Sequence, residues 1–452
     1  MSPPAGLNAL ERLELAASAG LRDARAVRIG GRIDEVSPTH VRVAGLSHFV
    51  KLGDCIEIDA GDATQIGEVV RIESEGAVVK PFGATIAAGI GGRAWRLGAL
   101  SLAPCPAWKG RVVNALGAPV DGLGALALGD CPTPLDAEPP AAMTRARVQT
   151  PLRTGVKVID LFAPICAGQR IGIFAGSGVG KSTLLAMLAG ARGFDTVVIA
   201  LVGERGREVR EFLEDALGDN RKLAIVVVAT GDESPMMRRL APKTAMCVAE
   251  YFRDRGDSVL LIVDSITRFA HAARDVALAA GEPAVARGYA PSVFTEMPKL
   301  LERAGPGRDG AGAITGVFSV LVDGDDHNDP VADAVRGILD GHIVLDRAIA
   351  DQGRYPAVDI LGSVSRLARH VWSPEQRTLV AKLKAMIARY EDTRDLRLMG
   401  GYHAGSDPDL DQALALVPRI YEGMAQSPDS PLSEDAFADL AAALNPARNE
   451  MT

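Results

Sequence analysis

Cysteine is scarce in this sequence and follows no pattern. Among 452 residues there are five, Cys55, Cys105, Cys131, Cys166 and Cys247, and no CxxC pair. An odd number at wide spacings excludes a disulfide framework and a thiolate zinc site, and fits reduced thiols. Aromatic residues make up only 4% of the chain, so aliphatic side chains and alanine must fill most of any core. Long apolar runs are missing as well. The strongest, 224–229 and 259–263, are strand-length, far short of the roughly 20 residues that cross a bilayer. Membrane contact is therefore expected to be peripheral. There is no basic excess either: the formal net charge is −8, which argues against a protein that coats nucleic acid, because phosphate binding needs clustered Lys and Arg. The N-terminal stretch MSPPAGLNALERLELAA has no basic region followed by an apolar run, so it does not read as a secretory signal. These absences together point to a cytoplasmic protein.

The 47% hydrophobic and 23% charged residues are a globular composition, and the length predicts two or three domains. Residues 1–25 carry Leu7, Leu10, Leu13 and Leu21 among charges. That spacing reads either as a short amphipathic helix that binds a partner or as a frayed tail. Residues 26–95 change to short β-like runs, AVRIGGRI, HVRVAGL, CIEIDA, QIGEVVRI and AVVKPF, separated by SPTH, DAGD and ESEG. Closely spaced runs of this kind predict a small β-barrel. Within 96–371, a connection containing Pro132, Pro134, Pro139 and Pro140 leads into apolar runs that alternate with amphipathic stretches: RIGIF, TVVIALV, AIVVVA, VLLIVD and ITGVFSVLV. This is the pattern of an α/β domain with a mostly parallel sheet. Residues 372–452 read as helical. Ser373, Pro374 and Gln376 form a helix start with a capping box, and Leu379, Leu383, Met386 and Tyr390 follow one face.

The strongest motif is Ala175-Gly-Ser-Gly-Val-Gly-Lys-Ser182, between RIGIF and the helical TLLAMLAG. A strand, a glycine loop and a helix in that order make a P-loop. Its backbone N–H groups, at Ser177, Gly178, Val179 and Gly180, can curl around phosphate oxygens, helped by the positive end of the helix. Lys181 reaches the β- and γ-phosphates, Ser182 ligates Mg²⁺ and Thr183 touches the α-phosphate. The strict pattern wants glycine at position 175, where this chain has alanine. Asp264, ending VLLIVD, is positioned as a Mg²⁺ partner at a strand's carboxyl edge. Gly203-Glu-Arg-Gly-Arg-Glu208 follows TVVIALV. There Glu204 could orient or deprotonate water and Arg205 could steady the γ-phosphate. The same charges would equally suit a solvated helix start.

The stretch TGVKVIDLFAPICAGQRIGIFAGSGVGKS resembles the nucleotide-binding core of the rotary ATPase β/α family, as do GRVVNALGAPVDG and YPAVDILGSVSR. GERGREVREF, DSITRFAHAARDVALAAGEPAVARGYAPSVF, DDHNDPVADAVRGILDGHIVLDR and YEDTRDLRLMGGYHAGSDPDLDQAL resemble the type III export ATPases. GGRIDEVSPTHVRVAGLSHFVKLGD resembles their flagellar branch. The resemblance implies a RecA-like P-loop core between an N-terminal β-barrel and a C-terminal helical domain, and an ATPase that uses ATP and Mg²⁺. It implies that Glu204 activates the attacking water, that Arg205 and Lys181 contact the γ-phosphate, and that Ser182, Asp264 and, through water, Glu208 hold Mg²⁺. Tyr355 would stack on adenine. Arg366 would be an arginine finger inserted into a neighbour's site, and one chain carrying Lys181, Glu204 and Arg366 permits a homohexameric ring.

The implied partners are a stator-like regulator at the N-terminal helix, a coiled-coil stalk protein in the pore, export-gate membrane proteins and chaperone–substrate complexes, at the inner membrane's cytoplasmic side. Four alternatives remain: an injectisome homologue, a rotary synthase subunit, a nucleotide-binding ring subunit without catalysis, and a ring-shaped RNA translocase. Intact Glu204 weighs against the third. The scarcity of basic and aromatic residues in HVRVAGLSHFVKLGDCIEIDAGD weighs against the last.

Overall fold

The computed structural model describes residue 10 and residues 27–61, 63–322 and 329–445. The helix expected over 7–21 lies outside the described residues, apart from Leu10. The chain divides into two compact units, 1–100 and 101–452.

The first unit is a closed six-stranded barrel in the order β1-β2-β5-β4-β3-β6. Its strands are β1 (Gly30–Val36), β2 (Val41–Ala44), β3 (Asp54–Asp59), β4 (Thr64–Ile72), β5 (Gly76–Pro81) and β6 (Arg93–Ala99). Alternation makes the barrel: Val41 and Val43 of β2 and Ile56 and Ile58 of β3 point inward with Ile33, Val69, Val79 and Ala94. At Gly31 a Cβ would stand 2.2 Å from the Ala44 carbonyl oxygen, so only glycine lets β1 and β2 approach there. The barrel reaches past the expected boundary at 95, because β6 pairs with β1 over 93–95 and runs on along β3 to Ala99. Its sequence RAWRLGA hides the strand behind two arginines and a Gly98 with φ of 93°.

The second unit is built on a nine-stranded sheet. We label eight of its strands β7 (Val112–Asn114), β8 (Arg170–Ala175), β9 (Thr196–Val202), β10 (Ala224–Ala229), β11 (Ser258–Asp264), β12 (Ala313–Leu321), β13 (Gly341–Leu345) and β14 (Val358–Ser365). Their spatial order is β14-β13-β8-β12-β11-β9-β10-β7, and the short strand Gly305–Pro306 pairs with β12. All neighbours are parallel except the antiparallel β14 and the short strand. Every residue of β9 and β10 is buried. That explains their unbroken apolar sequences, since a strand covered on both faces has no polar side to alternate.

The helices that matter to the site are α1 (Lys181–Ala189), α2 (Gly206–Glu211), α3 (Pro235–Arg253) and α4 (Ile266–Ala279). The helical C-terminal part adds α5 (Pro374–Asp392), α6 (Arg394–Leu398), α7 (Pro408–Met424) and α8 (Ala436–Leu444). The capping box forms: the Gln376 amide donates to Ser373 Oγ at 3.2 Å, and the Ser373 amide donates to Gln376 Oε1 at 2.9 Å. The buried stripe of α5 is Val380, Leu383 and Ile387. Leu379, expected on that face, is 44% exposed. Met386 and Tyr390 are partly buried against the core, so the inward face is rotated by about one residue from the expected one.

A buried ion pair ties α3 to the chain before the short strand. Arg303 donates to both carboxylate oxygens of Glu250, at 3.0 and 2.6 Å, and to the Leu135 carbonyl at 2.5 Å. Both side chains are 5% exposed or less. Removing one partner strands the other charge out of water, so Arg303→Ala should cost about 3–5 kcal/mol in denaturant unfolding. A loss within 1 kcal/mol would contradict that reading of the pair.

Candidate active site

The P-loop forms where β8 ends. Ala175 is the strand's last residue, buried between Leu321 of β12 and Leu345 of β13. The motif's first position therefore lies in the sheet, which explains why alanine serves there. The turn itself needs glycine at Gly178 and Gly180, with φ of 79° and 91°. Gly180 caps α1, which begins with Lys181. Val179 is buried, and Ser182 and Thr183 are exposed on the first turn of α1.

Three strand ends bring the charged groups together. Lys181 Nζ pairs directly with Asp264 at the end of β11 and lies 3.8 Å from Glu204 Oε1, just past the end of β9. Ser319, on the intervening β12, donates to Asp264 Oδ1 at 2.5 Å. Burial, reinforced by the nearby Asp264 charge, pushes Glu204 up to about 7, against the pull of Lys181. A carboxylate with a pKa near neutrality is suited to exchange protons with water at working pH. Ser182, Thr183, Glu204, Glu208 and Asp264 line one cavity of 390 Å³, together with Pro428 and Asp429.

Two expected groups stand apart from this cluster. Arg205 is 83% exposed, 3.8 Å from Glu208, and does not line the cavity. Arg366 is exposed just after β14, its guanidinium donating to the Arg336 carbonyl at 3.3 Å. The antiparallel β14 explains the separation. Its first residue, Val358, is level with Leu345 and hence with Ala175, whereas its last, Ser365, is level with Gly341 at the start of β13. Gly341 and Leu345 are four residues apart, about 13 Å of strand; β14 takes seven residues over the same rise because its register slips opposite His342 and Val344. Tyr355, preceding β14, therefore stands at the chain's own P-loop: its ring carbons lie 3.5 Å from where a Cβ on Gly180 would be. Arg366 is carried to the opposite edge of the sheet.

Several contributors gave no signal in the sequence. Arg347 Nη2 donates to the Ser177 carbonyl at 2.9 Å, bracing the P-loop from outside. The Gln426 amide donates to the Tyr355 carbonyl at 2.9 Å, and its buried side chain joins the Lys157 amide and the Gly155 carbonyl at 3.0 and 2.9 Å. Arg268 packs its side chain under Gly203 and draws the Glu204 pKa down. DSITRF and HIVLDR marked Arg268 and Arg347 as parts of resembling segments without giving either a role. Arg347 meets Ser177 across 170 residues and the Gln426 side chain meets Lys157 across 269.

Residues 155–365 match the ATP synthase alpha/beta family, nucleotide-binding domain, and residues 372–444 match the T3SS EscN ATPase C-terminal domain. The chain is 58% identical over 438 residues to a flagellum-specific ATP synthase of Rhizobium meliloti, covering 96% of this chain and 94% of that protein. Its structure superposes on the assembled ATPase EscN of the enteropathogenic E. coli type III secretion system with a TM-score of 0.85, at 38% identity, over 92% of this chain and 100% of EscN. EscN in complex with its central stalk EscO matches with a TM-score of 0.84, at 38% identity and the same coverage of both chains.

Proposed function

The chain belongs to the flagellum-specific ATP synthase family of type III secretion ATPases, and from that premise we propose that it hydrolyses ATP at sites shared between neighbouring copies in a homohexameric ring. ATP hydrolysis in the service of flagellar protein export is the family's activity; the division of labour among residues is our reading. The observation that carries it is the cluster at the strand ends, Lys181 between Asp264 and Glu204, with Arg366 a strand's length away. In this reading Lys181 leaves the carboxylates for the β- and γ-phosphates when ATP enters, and the P-loop amides of Ser177 to Gly180 hold the phosphate oxygens. Glu204 takes the proton of the attacking water. Tyr355 stacks on adenine and Thr183 contacts the α-phosphate. Arg205 swings from the surface to the γ-phosphate, and Arg366 enters from the next subunit.

The donors fit Mg²⁺. Ser182, Asp264 and Glu208 offer oxygen atoms around one cavity, the ligand type this ion prefers. Among the described residues no group of three or more His, Cys, Asp and Glu is placed to hold a metal by itself. Once bound, it neutralises phosphate charge.

The assembled EscN and its complex with EscO support a ring and a coiled-coil stalk in the pore. A stator-like regulator on the N-terminal helix, export-gate membrane proteins and chaperone–substrate complexes complete the proposed partners. No described helix is long and apolar enough to cross a membrane, which suits a cytoplasmic protein held peripherally at the export apparatus.

Lys181→Ala tests the cluster. It should abolish nucleotide binding and turnover together, with the fold checked by circular dichroism. Retained turnover would remove Lys181 from the site.

A further inference from the structure

A second cavity, of 590 Å³, shares no lining residue with the nucleotide cavity. It lies where the turn 352–354 meets α5, α6 and α7. Arg354, Arg394 and Arg397 line it, and none of them forms an ion pair with a described carboxylate. Among the more deeply buried arginines of this unit, Arg111, Arg170, Arg239 and Arg303 each have a carboxylate partner.

Two of the three guanidinium planes are held in place. Arg354 Cζ lies 3.8 Å from the Tyr421 ring centroid and Arg397 Cζ 4.0 Å from that of Tyr390. The two rings meet edge to face at 6.3 Å. Arg397 Nη2 also donates to the Tyr390 carbonyl at 2.6 Å. Glu391 in the wall is engaged by the Tyr421 hydroxyl, which donates to it at 2.6 Å. Glu422 is the other carboxylate of the wall and pairs with none of the arginines. Arg394 is exposed and Arg354 and Arg397 are half-buried, so all three remain within reach of a solute. Fixed planar forks of donors are the arrangement that binds phosphate bidentately. The volume falls within the roughly 300–1,000 Å³ of small-molecule sites.

We propose that this cavity is a second ligand site, for a small phosphate-bearing anion of the pyrophosphate or nucleoside-polyphosphate class, gripped by Arg394 and Arg397 beside the stacked Arg354. The site bears on the nucleotide pocket through two short connections. Arg354 is bonded to Tyr355, whose ring stands at Gly180. Ala425, in the cavity wall, precedes Gln426, whose amide holds the Tyr355 carbonyl. An occupant would therefore change the KM for ATP more than kcat.

The test is calorimetric titration of the full-length protein with pyrophosphate, in wild type, Lys181→Ala, Arg394→Ala/Arg397→Ala and the combination of all three. Pyrophosphate should bind at both the P-loop and the cavity in wild type. One class of site should disappear in each partial variant, and binding should vanish in the combination. Arg394→Lys/Arg397→Lys, which keeps the charge and loses the fork, should weaken the cavity site about tenfold. A single class of site that is lost with Lys181→Ala alone overturns the proposal, as does binding indifferent to both arginine replacements. Both classes surviving Lys181→Ala, with one lost on replacing the arginines, supports the cavity and faults the P-loop assignment, on which the proposal does not rest. A parallel titration of Lys181→Ala with ADP separates the two ligand sources. Tighter binding than pyrophosphate assigns the site to a nucleotide, and weaker binding assigns it to the inorganic anion.

Discussion

Glu204→Gln should bind ATP with near wild-type affinity and turn it over roughly 10²- to 10⁴-fold more slowly, the usual worth of a positioned base. Glutamine keeps the shape of the side chain and cannot accept the proton. The wild-type pH profile carries the same assignment. Burial and the Asp264 charge raise Glu204 to about 7, and only its ionised form is a base. Because kcat/KM reports the free enzyme, it should rise with pH through about 7 and level off above. The sign for stability is opposite. A carboxylate whose folded pKa exceeds its unfolded value opposes folding once pH passes the unfolded value. Glu204→Gln should therefore match wild type in unfolding midpoint at low pH and exceed it at neutral pH. A variant that hydrolyses normally, or a kcat/KM profile flat across neutrality, would take the base role from Glu204.

Arg366→Ala should leave ATP binding intact and lower turnover by roughly 10³- to 10⁵-fold, the range measured for fingers supplied from a neighbour. The reason is the register of β14. Tyr355 at one end faces the chain's own P-loop, while Arg366 follows the other end, level with Gly341. The Arg366 amide is level, through Asp340, with Arg170 at the start of β8, so about 16 Å of strand separates its backbone from Ala175 and no side-chain rotation returns Arg366 to the P-loop of the same chain. Its backbone is fixed, the amide donating to the Asp340 carbonyl at 2.9 Å. Asp340 in turn accepts from the Arg170 amide at 3.0 Å, so the guanidinium projects from a rigid edge. Because the substituted side chain is exposed, the fold should be unaffected. Wild-type turnover in Arg366→Ala would mean each site is complete within one chain.

What the sequence disclosed follows from how local each signal is. Buried parallel strands advertise themselves as unbroken apolar runs, so β8 to β12 were legible except for their order in the sheet. The P-loop was legible despite Ala175, since the glycines that matter at Gly178 and Gly180 are the two with positive φ. The strand β6 was not, because Arg93, Arg96 and Gly98 interrupt its alternation. The face of α5 was misjudged by about one residue: Leu379 and Val380 are both apolar neighbours, and only packing decides which turns inward. Residue types could suggest Lys181, Glu204 and Asp264, but not that Lys181 bridges the two carboxylates. Arg347, Gln426 and the arginines of the second cavity act through partners distant in sequence, which no local pattern records.

The shared site is tested most directly by mixing. Glu204→Gln and Arg366→Ala are each prepared alone and then combined in equal amounts under conditions that let subunits exchange. If sites are shared, each variant alone is inactive and the mixture recovers activity at about one interface in four, where an intact Glu204 meets a neighbour's intact Arg366. A mixture as inactive as its components, with both variants folded and binding ATP, would contradict the shared-site account.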